Sequence, residues 1–182
     1  QYAAHEKIDV TAWGCDALVF SAHKVGGSTG LGILYLKDPE KWTPDIFGGG
    51  AYMASGPARF EAGTLPLIQI ASLPVALKEK GRKREKELAR RFRERLSVNP
   101  KIKWISPGDS AVQSFYVANM HPVDIGALAG ARGVCLRAGN CCAKWIFEHL
   151  GIPGAVRVSP GAWNTFDEMD KVADILSDIV TE

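Results

Sequence analysis

The segment DALVFSAHKVGGSTGLGILYL, Asp16 to Leu36, constrains the fold more than any other. Two apolar bursts, Ala17 to Phe20 and Gly32 to Leu36, read as short buried strands, being apolar runs bounded by glycine, serine and charged residues. Strands of that kind call for parallel neighbours that this chain does not obviously supply, so a second polypeptide segment is expected to complete the sheet. Asp16 and Lys24 are the only formal charges in the run. An unpaired ammonium is costly to bury, and Lys24 therefore needs an exit to water or a chemical role. It follows the first burst closely, where open α/β sheets hold their ligands, and it precedes a glycine loop that allows close backbone approach.

The rest of the chain falls into two parts. Lys37 to Arg59 is punctuated by proline and glycine and reads as extended loop. Pro66 to Arg95 turns helical, with Leu88, Phe92 and Leu96 repeating every fourth residue on a charged background. The basic run KEKGRKREKELARRFRER contains interleaved acids and one aromatic, the pattern of a solvated helix face rather than a nucleic-acid surface. Asn99 and Pro100 close that helix and composition shifts there, which predicts a domain over 1–98 and another over 99–182. In the second, Ala111 to Ala118, Val134 to Leu136 and Ala155 to Val158 read as strands. Segments after Pro122, from Trp145 to Leu150 and from Thr165 to Val180 read as helices, the last opened by a Thr165–Glu168 capping box. Met169, Val172, Ala173, Leu176 and Ile179 or Val180 line its apolar face. This second part has an α+β order.

Composition narrows the class. The 182 residues are 46% hydrophobic and 23% charged with net charge +2, a globular profile with no global reason to expect nucleic acid, and no apolar run approaches a membrane span. Cys15, Cys135, Cys141 and Cys142 are too few and too unevenly spaced for a disulfide framework, which favours a reducing compartment. Cys15 and Cys135 lie in apolar runs and read as inert core thiols. Adjacent Cys141 and Cys142, with no second CxxC pair, lack zinc-finger spacing, and no metal site is expected. His5, His121 and His149 receive no chemical role. The chain starts at Gln1 rather than Met, and a preceding segment is expected.

Lysine can form a Schiff base with an aldehyde cofactor, pyridoxal phosphate being the commonest, and Ser21 and His23 are suited to bind a phosphate beside it. On those residues alone, a catalytic amine and a surface-loop lysine both stay open. Arg157, on an apolar strand, is a buried guanidinium in need of an anion, and a substrate carboxylate would supply one.

The ordered motifs CDALVFSAHKVGGSTGLGILYLK, FGGGAYM, RFEAGT, RAGNCCA and VRVSPGAWNT resemble those of the cysteine desulfurases, in the class V aminotransferase group of fold-type-I pyridoxal phosphate enzymes. The resemblance runs from Gln1 to about Thr165. It implies an α/β fold of that type, with part of the large domain followed by a small C-terminal α+β domain. It also implies conversion of L-cysteine to L-alanine with a persulfide left on an enzyme cysteine, supplying sulfur for iron-sulfur clusters or other sulfur-containing cofactors.

Carried over by resemblance, Lys24 matches the Schiff-base lysine, Ser21 and His23 the adjoining phosphate ligands, and Gln1 the glutamine at the cofactor's phenolic oxygen. Thr64 matches a residue that reaches the phosphate of a neighbouring subunit, implying a dimer. Arg157 matches the arginine of the substrate carboxylate, Arg137 the arginine ahead of the cysteine loop, and Cys142 the persulfide cysteine. Asn140 and Cys141 stand where many relatives carry two histidines. The family's chains are roughly twice as long, so an N-terminal half, as a separate or cleaved chain, is the expected partner. A sulfur-acceptor protein is another, and the short cysteine loop looks like the group that uses one. The expected location is the cytoplasm, or an organelle if a targeting segment lies in the other half. The alternatives are a selenocysteine lyase and a non-catalytic scaffold that binds a sulfur-transfer partner.

Overall fold

The computed structural model describes residues 1–78 and 82–181, without the side chains of Tyr52 and Arg82; Glu79, Lys80 and Gly81 of the basic run lie outside the described residues. Two compact units divide between Lys80 and Gly81. The boundary therefore falls ahead of the charged helix and not at Asn99, because that helix packs into the second unit.

The first unit contains a short helix α1 (Tyr2–His5), strands β1 (Ala17–Ser21) and β2 (Gly32–Leu36), and helix α2 (Leu67–Lys78). The strands pair with each other, antiparallel, from Ala17 opposite Leu36 to Ser21 opposite Gly32. The expectation of buried strands is corrected here: Val19 is 74% and Leu34 47% exposed. Val19 and Leu34 share the open face of this two-stranded ribbon, whereas Leu18, Phe20, Ile33 and Tyr35 on the other face are half-buried. The proline-rich and glycine-rich stretch expected as loop carries 3₁₀ turns at Pro39–Lys41, Ala51–Met53 and Gly56–Phe60. Glu40 pins this stretch, accepting from the Gly56 amide and from Arg59 Nη1 at 3.0 Å.

The second unit runs α3 (Arg82–Leu96), β3 (Ile102–Trp104), β4 (Gln113–Val117), α4 (Pro122–Ala131), β5 (Arg137–Gly139), α5 (Lys144–Leu150), β6 (Ala155–Val158) and α6 (Phe166–Thr181). Its antiparallel sheet has the order β3-β4-β6-β5. Leu88, Phe92 and Leu96 are fully buried against Met169, Ala173, Leu176 and Ile179 of α6 and against Phe115 and Val156 of the sheet. Each large side chain so buried contributes roughly 1.5–3 kcal/mol. The strand expected at Val134 to Leu136 is displaced: it occupies Arg137–Gly139, and Cys135 is exposed rather than a core thiol. The turn that closes α4, with Gly133 at φ 79°, uses up the residues before it. His121, given no role from sequence, caps α4 by accepting from the Val123 amide.

From Arg82 onward the basic run forms α3, part of a structured face. Arg91 and Arg95 make two-pronged ion pairs with Asp170 and Asp174 of α6, at 2.7–2.8 Å. The capping box forms as expected: the Thr165 amide donates to Glu168 at 2.8 Å and the Glu168 amide donates to Thr165 Oγ1 at 3.1 Å.

These bonds give α6 a pH signature. The Thr165 amide and Asn164 hold Glu168 below its ordinary range, and hydrogen bonds from Arg91 and Arg95 do the same for Asp170 and Asp174. A depressed carboxylate stabilises the fold above its unfolded pKa, and that contribution is lost as pH falls through the folded value. Thermal unfolding should therefore be insensitive to these groups above about pH 5 and decline below roughly pH 4. Glu168 and Asp174 are exposed and Asp170 is half-buried at the surface, so added salt should shrink the effect. A melting temperature that rises on acidification from pH 5 to pH 3 would contradict this account.

Candidate active site

In the first unit the chain turns sharply after β1. Ala22–Val25 is a single 3₁₀ turn, closed by Gly26 in the left-handed region at φ 89°. A Cβ on Gly27 would lie 3.1 Å from the Ala22 Cβ and 3.2 Å from its carbonyl oxygen, so the loop folds tightly over the turn that presents Lys24. The Ser28 amide donates to Ser72 Oγ at 3.2 Å and ties the far end of the loop to α2.

Lys24 lines a groove of about 760 Å³ together with Gln1, Ser21, Tyr35, Phe60 and Glu61. That volume suits a small-molecule site, which typically spans roughly 300–1,000 Å³. Three residues chosen from sequence, Gln1, Ser21 and Lys24, thus share one groove. His23 and Thr64 are exposed and do not line it. Phe60 and Glu61 were not singled out from sequence, although RFEAGT contains them. Gly49 (φ 55°) and Gly63 bring FGGG and EAGT together, since a Cβ on Gly49 would stand 3.0 Å from the Gly63 Cα.

In the second unit the sheet register matters most. Arg137 of β5 stands directly opposite Arg157 of β6, and Ser114 of β4 is its partner on the other side. Strand alternation turns Val156 and Val158 into the core and leaves Arg157 on the opposite face with these two neighbours. Like charges placed directly across a sheet are destabilising without an anion. The Arg157 Nε is buried with no hydrogen-bond partner, the single such side-chain atom among the described residues. Two guanidiniums and an orphaned donor make a site shaped for a carboxylate. Arg137, expected just ahead of the cysteine loop, lies on β5, and that place is what aligns it with Arg157.

The cysteines follow at once. Gly139 lies against Gly154, where a Cβ would meet the Gly139 backbone at 2.7 Å, and the chain then turns through Cys141 (φ 47°) and Cys142 (φ 59°) into α5. Cys142 is exposed, whereas Cys141 is half-buried with its Sγ directed at the Ala155 carbonyl at 4.0 Å. Among the described residues, no cluster of three or more His, Cys, Asp or Glu forms a metal site.

The profile of the aminotransferase class-V family matches residues 1–172. The chain belongs to that family. It is 33% identical, over 95% of its length, to a probable cysteine desulfurase of Halalkalibacterium halodurans, and covers 47% of that protein. Against a cysteine desulfurase of Synechococcus elongatus it is 34% identical over its whole length, covering 32% of the relative. Among solved structures, the apo cysteine desulfurase of Thermococcus onnurineus superposes on the whole chain with TM-score 0.89 at 27% identity, the chain covering 51% of it. The cysteine desulfurase CsdA of Escherichia coli, in its S-sulfonic acid form, gives TM-score 0.84 at 29% identity, with 100% of this chain and 49% of that one covered. The fold is accordingly α/β, of the fold-type-I class of pyridoxal phosphate enzymes. The chain spans about half the length or less of the curated relatives it matches.

Proposed function

We propose that this chain carries the lysine-bearing and thiol-bearing parts of a pyridoxal phosphate-dependent cysteine desulfurase, acting with a further polypeptide segment such as the N-terminal half of the same enzyme. The observation that carries this reading is the second-unit constellation: an arginine pair with an orphaned buried donor, five residues of chain from Arg137 to an exposed thiol. Family membership adds the cofactor class.

The first-unit groove fits pyridoxal phosphate in chemistry and size. Lys24 would hold the cofactor through its amine, Ser21 would donate to its phosphate, and Gln1 would donate to its ring oxygen. When bound, the cofactor supplies a sink for the electrons of the substrate's α-carbon. Arg157, supported by Arg137, holds the substrate carboxylate and so orients L-cysteine. Lys24 Nζ holds and moves the protons. The Cys142 thiolate attacks the substrate sulfur, forming the enzyme persulfide as L-alanine leaves. In the same reading His23 is a second phosphate ligand and Thr64 serves the phosphate of a neighbouring subunit. The complete unit is then a dimer, and the sulfur passes to an acceptor protein for iron-sulfur clusters. Its location is the cytoplasm or an organelle.

The test is production of alanine and a protein-bound persulfide from L-cysteine by the chain joined to its complementary half. Arg157→Ala should raise KM about 10- to 100-fold, the loss of a charged hydrogen-bonding partner worth about 1.5–3 kcal/mol. An unchanged KM would remove Arg157 from the carboxylate site. Chain 1–182 expressed alone should be inactive or aggregate, and a soluble, fully active 182-residue monomer would disprove the need for a second segment.

A further inference from the structure

Cys141 is adjacent to the exposed thiol and shares its left-handed backbone, but it differs in burial and in what its sulfur faces. Among the described residues, non-glycine residues with positive φ are Asn119, Cys141 and Cys142. Asparagine enters the left-handed region routinely; a cysteine there costs roughly 1–2 kcal/mol. Two in succession mark a turn held against its local preference, as happens at functional sites. Cys142 opens to solvent, while Cys141 is half-buried, its Sγ facing the carbonyl of Ala155, two residues before Arg157. The turn thus sets one thiol outward and the other toward the strand that bears the arginine.

We propose that Cys141 is a second sulfur carrier, taking the sulfane sulfur from Cys142 and freeing that thiol for another turnover. The proposal rests on the desulfurase reading. In the transfer, the Cys141 thiolate attacks the terminal sulfur of the Cys142 persulfide. A bond forms between Cys141 Sγ and that sulfur, the bond from it to Cys142 Sγ breaks, and Cys142 departs as thiolate. It takes up the proton that Cys141 released. One persulfide and one thiol enter, and one of each leaves, so no oxidant or reductant is consumed. Attack on the inner sulfur is disfavoured. It would close a disulfide between residues whose Cα atoms stand about 3.8 Å apart across a trans peptide, short of the roughly 4.4–6.8 Å that disulfides prefer. The terminal sulfur relieves this by lengthening the bridge by one bond.

The experiment is an alanine burst with the complete holoenzyme and excess L-cysteine, without an acceptor protein. It is followed by thiol alkylation and peptide mass spectrometry of the Arg137 to Lys144 segment. Wild type should release more than one and up to about two equivalents of alanine per active site in the burst, and added sulfur should appear on both thiols. Cys141→Ser should give about one equivalent, with sulfur on Cys142 alone. Cys141→Gly, which suits the left-handed backbone, should match it and guards against a folding defect. A burst of one equivalent in wild type, with sulfur confined to Cys142, would overturn the relay and leave the desulfurase intact. No alanine and no persulfide from wild type would overturn the desulfurase reading and the relay together.

Discussion

Lys24→Ala is expected to lower turnover by roughly 10³-fold or more, about 4 kcal/mol of barrier, while leaving the protein folded. The size follows from the two duties that the proposed function places on one amine: holding the cofactor and moving protons. The stability expectation follows from position. Lys24 is exposed on a 3₁₀ turn whose tight packing comes from Ala22, Gly26 and Gly27, so truncating it should change stability by no more than about 0.5 kcal/mol. Borohydride reduction of the cofactor-loaded enzyme should fix the cofactor to the peptide containing Lys24. Recovery on Lys7 or Lys37 would show that the groove beside β1 is not the cofactor site. A variant that melts well below wild type would show instead that Lys24 supports the turn.

The helices were legible because their signals are local. Leu88, Phe92 and Leu96 repeat at helical spacing, and Thr165 with Glu168 forms the reciprocal cap that their spacing announces. What stayed hidden depends on register and on partners. The apolar strands on either side of Lys24 look covered in sequence, yet composition cannot show whether a covering layer is part of the same chain. The domain boundary moved because the apolar face of α3 packs on α6, where Arg91 and Arg95 also meet Asp170 and Asp174 some 79 residues away, a pairing that no local pattern encodes. Val134 to Leu136 has the composition of a strand, but the turn that ends α4 takes precedence and pushes β5 forward by three residues. That shift places Arg137 opposite Arg157, and it is the part of the candidate site that the sequence could not reveal. The need of Arg157 for an anion, by contrast, was visible in VRVS, and the orphaned Nε is its structural counterpart.

Cys142→Ser is expected to lose at least about 100-fold in desulfurase activity, a barrier increase near 2.7 kcal/mol, since a serine hydroxyl is a poor nucleophile at neutral pH. Cys141→Ser should retain at least about a tenth, a change below roughly 1.4 kcal/mol. The structure supports this order within the pair, because Cys142 is open to an incoming substrate sulfur while Cys141 is turned toward the Ala155 carbonyl. Cys141 does not replace its neighbour as first acceptor, since from its half-buried position it faces the Ala155 carbonyl and not the solvent side from which the substrate sulfur arrives. The same measurement separates three accounts of the turn. If Cys141→Ser is the dead variant and Cys142→Ser the active one, the roles are exchanged but the chemistry stands. If neither substitution matters and both thiols are found on zinc, the turn belongs to a scaffold. If Cys142→Ser alone is inactive and the wild-type persulfide maps to Cys142 in the first turnover, the exposed thiol is where sulfur first leaves the substrate.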